Sequence, residues 1–212
     1  MRTILLFRHA PVDHFSGASC CLGSRTDVPA SPEGLAAAAK LAPLLRAKGV
    51  ASVWHSPMLR CRQTTEAMAD GLPVAPLPGL EELDCGAWDG LSFDEIRARW
   101  PAHYARRGED PALPPPGGED PADAAARGLA ALMALMQRTE GNLAVVAHAG
   151  IDRAMLCALQ NLPMREMRGI PQTHLCVNIL RYDGKRFTVA AAGLTDPAPL
   201  DARGAVTAEG RD

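Results

Sequence analysis

The stretch RTILLFRHA, residues 2–10, places a short apolar run directly before an arginine and a histidine. Its branched apolar residues predict a buried β-strand over 2–7. A buried strand has no place for an unpaired cation, so we expect Arg8 and His9 to emerge at its carboxyl end. The stretch NLAVVAH, residues 142–148, repeats this design, because a buried strand again ends on a histidine, His148.

Between and after these two strands, the sequence alternates between helix and strand patterns. Helices are predicted over 31–49, with Ser31 as the N-cap, and over 58–71, 120–138 and 151–161. A further strand is predicted over 50–56, and a hairpin over 175–182 and 186–193. This alternation with short connections predicts an α/β fold: a three-layer α/β/α sandwich with a mostly parallel central sheet.

Residues 72–118 interrupt the alternation with proline- and glycine-rich segments around one polar helix, predicted over 92–106. We interpret them as a short cap-like insertion over the active-site edge of the sheet. The sequence then predicts a single domain over 1–195. The remaining residues, 196–212, are rich in alanine, proline, glycine and charge, and we expect them to form a disordered tail.

Composition excludes several classes of function. The net charge of -2 leaves no footprint for nucleic acid, and no apolar stretch approaches the roughly 20 residues that cross a membrane. The apolar run after Arg2 is too short for a signal peptide, so we expect a cytoplasmic protein. Six cysteines lack any zinc-site spacing and are expected to be core residues, with no metal and no cofactor.

Three predicted strands carry a histidine at their carboxyl ends, namely His9, His55 and His148. In parallel sheets these ends share one edge, where ligands bind. The helix over 58–71 adds Arg60 and Arg62 to its first turns, although a helix N-terminus disfavours cations. An anion that shares the site would explain this placement.

Histidine and arginine together suit phosphoryl chemistry. The planar guanidinium group matches phosphate oxygens, and a neutral imidazole can attack phosphorus to form a phosphohistidine. The leaving oxygen then needs a proton from a carboxylic acid. The segment LEELDCGAWDG, residues 80–90, offers the acidic candidates Glu81, Glu82, Asp84 and Asp89.

Four motifs, in order along the chain, resemble those of the histidine phosphatase superfamily, the phosphoglycerate-mutase-like proteins. They are LLFRHA (5–10), SPMLRCRQTTEAM (56–68), LEELDCGAWDG (80–90) and VVAHAG (145–150). The resemblance covers roughly residues 3–190. It implies a metal-independent phosphatase that hydrolyses a small-molecule phosphomonoester through a phosphohistidine intermediate.

The resemblance also implies roles for individual residues. His9 corresponds to the phosphorylated nucleophile and Glu82 to the acid. Arg8, Arg60 and His148 correspond to the residues that cradle the phosphoryl group, whereas Arg62 falls on a variable position.

Three positions depart from the family pattern. Ala10 and Ala149 replace glycines, and we still expect Ala149 to contact the substrate. Phe15 stands where many members carry an asparagine that contacts phosphate. Ser16, Gly17 and Asp13 are the candidates to replace that asparagine, and the alternative is that no residue replaces it.

Other readings remain open on the sequence alone. CCLGSRTDVPASPEG (20–34) and PPPGGEDPADAAAR (114–127) are similar to segments of the α-ribazole phosphatase branch, so α-ribazole 5′-phosphate is one candidate substrate. A mutase-type phosphoryl transfer, a non-catalytic phosphate-binding module, and a metal site formed by His9, His55 and His148 are the alternatives. We expect the partner to be a small phosphate ester and the protein to be a monomer or a homodimer.

Overall fold

Strand β1 (Arg2–Arg8) lies inside a six-stranded sheet in the computed structural model, which describes residues 1–13 and 19–195. It pairs in parallel with β4 (Asn142–Ala147) and antiparallel with β5 (Val177–Tyr182). Phe15, Ser16, Gly17 and the predicted tail 196–212 lie outside the described residues.

The sheet is mixed, with one parallel part and one antiparallel part. Its strand order is β3-β2-β4-β1-β5-β6, where β2 is Val50–His55, β3 is Val74–Pro76 and β6 is Phe187–Leu194. The pairs β3–β2, β2–β4 and β4–β1 are parallel, whereas β1–β5 and β5–β6 are antiparallel. The predicted mostly parallel sheet is confirmed.

Helices cover both faces of the sheet, as the sandwich prediction requires. The helices are α1 (Pro32–Ala39), α2 (Ala42–Ala47), α3 (Leu59–Met68), α4 (Phe93–Arg99), α5 (Pro101–Glu109), α6 (Pro121–Arg138) and α7 (Ala149–Gln160). Short 3-10 turns span Gly86–Trp88 and Met164–Gly169.

Alternate residues of β1 face opposite layers, because successive side chains of a strand point to opposite sides. Ile4 and Leu6 belong to the core on the side of α6 and α7. Leu5 and Phe7 belong to the core on the side of α2 and α3. These four side chains are at most 1% exposed, which is why the whole run is apolar.

Prolines divide two helices that the sequence analysis predicted as continuous. The helix predicted over 31–49 ends at Ala39, and α2 restarts at Ala42, because Pro43 has no N–H to offer the carbonyl of Ala39. The helix predicted over 92–106 divides in the same way at Pro101. The Ser31 N-cap is confirmed, since its hydroxyl oxygen accepts the N–H of Gly34 at 3.1 Å.

Strand β3 was not predicted; it is three residues long and pairs with β2. It begins the segment 72–118, which continues into α4 and α5. Throughout residues 1–13 and 19–195, the helices are too short or too polar to cross a membrane.

Candidate active site

The carboxyl ends of neighbouring parallel strands bring two of the predicted histidines together. His9 follows β1 and His148 follows β4, and their ring centres lie 5.2 Å apart. His55, at the end of β2, is buried, and its Nδ1 lies 2.8 Å from the carbonyl oxygen of Ser56. In the described part of the chain, no three histidine, cysteine or acidic residues are grouped as a metal site, so the three-histidine alternative finds no support.

A cavity of about 210 Å³ opens beside His9, and we call it the histidine cavity. Its lining includes Arg8, His9, Asp13, Arg60, Glu82 and His174. These six side chains comprise two guanidinium groups, two imidazoles and two carboxyl groups. Phosphoryl transfer uses all three types of group.

The hydrogen bond of His9 defines its tautomer. Nδ1 lies 2.7 Å from the carbonyl oxygen of Ala10, so Nδ1 carries a proton and donates it there. Burial, and then the positive charges of Arg60 and Arg8, lower the pKa of His9 well below its usual value. The ring is therefore neutral near pH 7, and the lone pair of Nε2 is available to an electrophile.

Residues that precede strand β5 hold the side chain of Arg8. Its guanidinium group donates to the carbonyl oxygen of Gln172 at 2.6 Å and to Nε2 of His174 at 3.1 Å. His174 in turn donates from Nδ1 to the carbonyl oxygen of His9 at 3.2 Å. Burial, and then the charge of Arg8, lower the pKa of His174 to about 4, so His174 stays neutral and can accept from Arg8.

Arg60 is 1% exposed, and its donors are spread over three partners. Nε donates to Nδ1 of His148 at 3.2 Å, while the two terminal nitrogens donate to the carbonyl oxygens of Thr26 and Gly23 at 3.0 and 3.3 Å. Arg62, two residues later, is more than half exposed and pairs with Glu66. The structure therefore places Arg60 inside the site and Arg62 at the surface, a difference that their positions in the first turns of the helix did not show.

His148 is fully buried beside His9. Nδ1 accepts from Arg60, and Nε2 carries the proton and lies 2.8 Å from the hydroxyl oxygen of Ser56. Burial, and then Arg60 and His9, lower the pKa of His148 well below its usual value. The imidazole is therefore a neutral donor whose orientation depends on Arg60 and Ser56.

Glu82 lies at the N-terminus of α7. Its carboxylate accepts the N–H groups of Leu83, Gly150 and Ile151 at 2.9 to 3.0 Å. An acidic side chain is stabilised at this end of a helix, because unpaired N–H groups and the helix dipole converge there. A β-carbon on Gly150 would lie 2.5 Å from Oε1 of Glu82, so glycine makes this contact possible.

The other acidic candidates of residues 80–90 are engaged elsewhere. Glu81 pairs with Arg127 at 3.7 Å, and Asp84 pairs with Arg25 at 2.7 Å. Asp89 accepts the backbone N–H of Arg25 at 3.0 Å. Glu82 is the acid among these four that lines the histidine cavity.

Sequence reasoning missed His174. The residue directly precedes the predicted hairpin, in THLCVNIL (173–180), and the pattern of a hairpin does not show which strand of the sheet lies beside it. Because β5 runs antiparallel to β1, the start of β5 lies beside the end of β1. That pairing, and not a motif, brings His174 to Arg8.

A second cavity of about 340 Å³ adjoins the first and shares Cys20, Leu22 and Glu82 with it. We call it the arginine cavity, because Arg107, Arg153 and Arg168 line it. Ala149, predicted as a binding residue, starts α7 and lines this second cavity.

Comparison with known proteins agrees with the motifs. Residues 4–195 match the model of the histidine phosphatase superfamily, branch 1. The chain is 28% identical over 180 residues to the 6-phosphofructo-2-kinase/fructose-2,6-bisphosphatase of Arabidopsis thaliana, covering 82% of this chain and 23% of that protein. It is 33% identical over 129 residues to the rat 6-phosphofructo-2-kinase/fructose-2,6-bisphosphatase 1, covering 59% of this chain and 26% of that protein. The chain thus spans about a quarter of the length of these curated relatives.

Solved structures share the fold over almost the whole chain. Bacillus stearothermophilus YhfR is 27% identical with a TM-score of 0.84, and the match covers 92% of this chain and 98% of that one. A mycobacterial glucosyl-3-phosphoglycerate phosphatase is 24% identical with a TM-score of 0.81, covering 92% and 100%. The α-ribazole phosphatase of Shigella flexneri is 20% identical with a TM-score of 0.75, covering 90% and 96%. With its family model matched over 192 residues, its strand-end histidines and its shared fold, the chain belongs to branch 1 of the histidine phosphatase superfamily.

Proposed function

We propose that the protein is a phosphatase that hydrolyses a small-molecule phosphomonoester through a phosphohistidine at His9, without a metal ion. The observation that carries this proposal is the state of His9. Its Nδ1–H is used by the carbonyl oxygen of Ala10, its ring is neutral, and it lines a cavity together with Arg8 and Arg60. A neutral imidazole beside two guanidinium groups is suited to attack a bound phosphate ester.

In the first step, Nε2 of His9 attacks phosphorus and the bond between phosphorus and the ester oxygen breaks. Glu82 must be protonated when the substrate is bound, and it gives this proton to the leaving oxygen. In the second step, water attacks the phosphohistidine, Glu82 accepts a proton from that water, and the bond between phosphorus and Nε2 breaks. Inorganic phosphate leaves, and His9 and Glu82 return to their starting states.

The cationic and imidazole side chains around His9 stabilise the charge of the transferring group. Arg8 and Arg60 are assigned to the phosphoryl oxygens, where guanidinium groups offset charge that is spread over three oxygens. His148 is assigned to the same group through its Nε2–H, which now contacts Ser56. The bound substrate must therefore replace the hydroxyl oxygen of Ser56 as the acceptor.

Hydrolysis is proposed over mutase-type transfer because the segment between α3 and α6 is short, with β3, α4 and α5 as its regular elements. The α-ribazole phosphatase and the glucosyl-3-phosphoglycerate phosphatase share the fold and act on different leaving groups. A screen of phosphometabolites that includes α-ribazole 5′-phosphate is the direct way to find the leaving group of this protein.

The test is phosphate release from p-nitrophenyl phosphate in the presence of EDTA, with the wild type beside His9→Ala. We expect release by the wild type and a loss of at least roughly 1,000-fold in the variant, because the nucleophile is gone. Brief exposure to a radiolabelled substrate should also leave an alkali-stable, acid-labile phosphoryl group on the wild type only. Equal release by the two proteins overturns the proposal, as does loss of release on adding EDTA. Phosphate binding without turnover by the wild type would instead favour the non-catalytic module.

A further inference from the structure

The arginine cavity is built from three elements that are far apart in the sequence. Arg107 comes from α5, Arg153 from α7 and Arg168 from the 3-10 turn at Met164–Gly169. Glu82 and Leu22 line both this cavity and the histidine cavity. A molecule whose phosphate occupies the histidine cavity would therefore extend its remaining part past Glu82 towards these arginines.

None of the three arginines has an ion pair with a carboxylate of residues 1–13 or 19–195. Each is anchored through one donor to a backbone carbonyl oxygen. Arg107 donates to Pro111 at 2.8 Å, Arg153 to Ile170 at 2.9 Å and Arg168 to Gly108 at 3.3 Å. A guanidinium group has five N–H donors, so each side chain is oriented while keeping further donors for a ligand.

The positive charge of Arg168 acts on both of the other arginines. Burial, and then the charge of Arg168, lower the pKa of Arg107. Burial lowers the pKa of Arg153, and Arg168 acts in the same direction, against the nearby carboxyl group of Glu82. The remaining carboxyl groups near these two side chains are Asp110 beside Arg107 and Asp152 beside Arg153.

Asp152 offers Arg153 little charge compensation. Its carboxyl group is fully buried, and both of its oxygens lack a hydrogen-bond partner among the described residues. Burial, and then Glu82, raise its pKa well above the usual value, which favours the neutral acid. The cavity therefore keeps an excess of positive charge.

The rest of the lining adds flat aromatic surfaces. Trp88, Phe93 and Tyr104 line the cavity. The guanidinium carbon of Arg107 lies 5.9 Å from the centre of the Trp88 ring, so one of the arginines is also held against an aromatic face.

We propose that the arginine cavity binds a second anionic group of the substrate, located on the leaving-group side of the ester bond. The substrate class is a phosphomonoester whose alcohol carries a carboxylate or a further phosphate group. This inference rests on the proposed function, because the phosphate of the histidine cavity fixes the direction in which the alcohol extends. Guanidinium groups bind carboxylate and phosphate oxygens in the same forked geometry, so both anions belong to the class.

Binding of non-hydrolysable phosphonates tests the inference separately from turnover. Calorimetry at low salt would compare benzylphosphonates that carry a carboxylate, a phosphonate or a neutral carboxamide at the 3- or 4-position. We expect at least one carboxylate or phosphonate compound to bind the wild type roughly tenfold or more tightly than its carboxamide partner. The preference should shrink at high salt, because Arg168 is exposed to solvent. The better of the two anions identifies the kind of second group.

Replacement of the arginines then shows whether the cavity is responsible. Arg107→Gln and Arg168→Gln should each reduce the preference for the anionic compound towards unity, with a smaller effect on the carboxamide. Arg106→Gln is the matched control, since Arg106 lies on the same helix α5 but is exposed and lines neither cavity in the described lining. Equal affinities of the wild type for the carboxylate, phosphonate and carboxamide compounds, at both the 3- and the 4-position of the ring, overturn the inference. A preference for the anionic compound that survives both arginine replacements overturns it as well.

The two proposals fail in different ways. Release of phosphate from p-nitrophenyl phosphate together with equal phosphonate affinities would leave the phosphatase standing and remove the second anion site. A strong, arginine-dependent preference without any phosphate release would support the anion site and contradict the phosphatase.

Discussion

Nε of Arg60 donates a hydrogen bond to Nδ1 of His148 at 3.2 Å, so a guanidinium group and a neutral imidazole are in direct contact. The contact fixes the tautomer of His148, whose proton must then lie on Nε2. Arg60 thereby acts twice in the proposed reaction: it faces the cavity with its own charge, and it directs the Nε2–H of a second residue.

Arg60→Lys should lower kcat/KM for p-nitrophenyl phosphate by roughly 100-fold. An ammonium group cannot reach His148, Thr26 and Gly23 at once, because it lacks the planar fork of arginine. Arg62→Lys is the matched control on the same helix and should stay within about twofold, because Arg62 is exposed. Similar losses in the two variants would contradict this assignment.

Glu82→Gln should slow turnover most on substrates with poor leaving groups. An alkyl phosphate needs a proton on its leaving oxygen and should lose roughly 100-fold or more, whereas p-nitrophenyl phosphate should lose much less. Glu81→Gln, which removes the neighbouring carboxylate and its pair with Arg127, should leave both rates nearly unchanged. The same loss on both substrates would argue against an acid role for Glu82.

Gly150→Ala should lower kcat by roughly tenfold or more and change KM less. The added methyl group would lie 2.5 Å from Oε1 of Glu82, so the carboxylate must move away from the first turn of α7. Gly169→Ala is the control, because a β-carbon there meets nothing within 4 Å. An unchanged kcat in the Gly150 variant would show that the position of Glu82 is not critical.

The free energy of unfolding should decrease as the pH falls from about 6.5 towards 4. His9, His148 and His174 are neutral in the folded protein with lowered pKa values, so the unfolded chain takes up protons in this range that the folded protein does not. Asp152 has the opposite sign, since its raised pKa makes the folded protein bind a proton that the unfolded chain has lost. Three groups against one give a net loss of stability on acidification.

Chemical denaturation at pH 7 and pH 5 would measure this change. His174→Gln should make stability less dependent on pH, and Asp152→Asn should make it more dependent, because the opposing group is removed. A wild-type stability that is equal or higher at pH 5 would show that the histidines do not dominate.

The fold class and most of the proposed reaction centre could be predicted from the sequence, because both are encoded locally. The apolar runs that become β1 and β4 are continuous, and each is followed at once by its histidine. Glu82 could be distinguished from Glu81 only through the family resemblance, since spacing alone left four acids open. The structure supplies the physical difference, because Glu81 pairs with Arg127.

The features that the sequence did not reveal depend on contacts between distant segments. His174 reaches Arg8 through the antiparallel pairing of β5 with β1. The sequence around residue 174 does not indicate that its partner lies 166 residues earlier. The arginine cavity likewise combines α5, α7 and a 3-10 turn. The divided helices are a different case, because Pro43 and Pro101 are visible in the sequence and each lacks the N–H that a continuous helix needs at its position.

The central position of β1 has a consequence for how the chain folds. Both strands that pair with β1 are synthesised more than 130 residues later, so this very apolar segment leaves the ribosome with two unpaired edges. Such long-range pairing slows folding and favours aggregation of partly made chains. His9, the proposed nucleophile at the end of β1, therefore reaches its final environment only after β4 and β5 have been made, and a chain truncated before β5 would leave one edge of β1 unpaired and His9 without its neighbour His174.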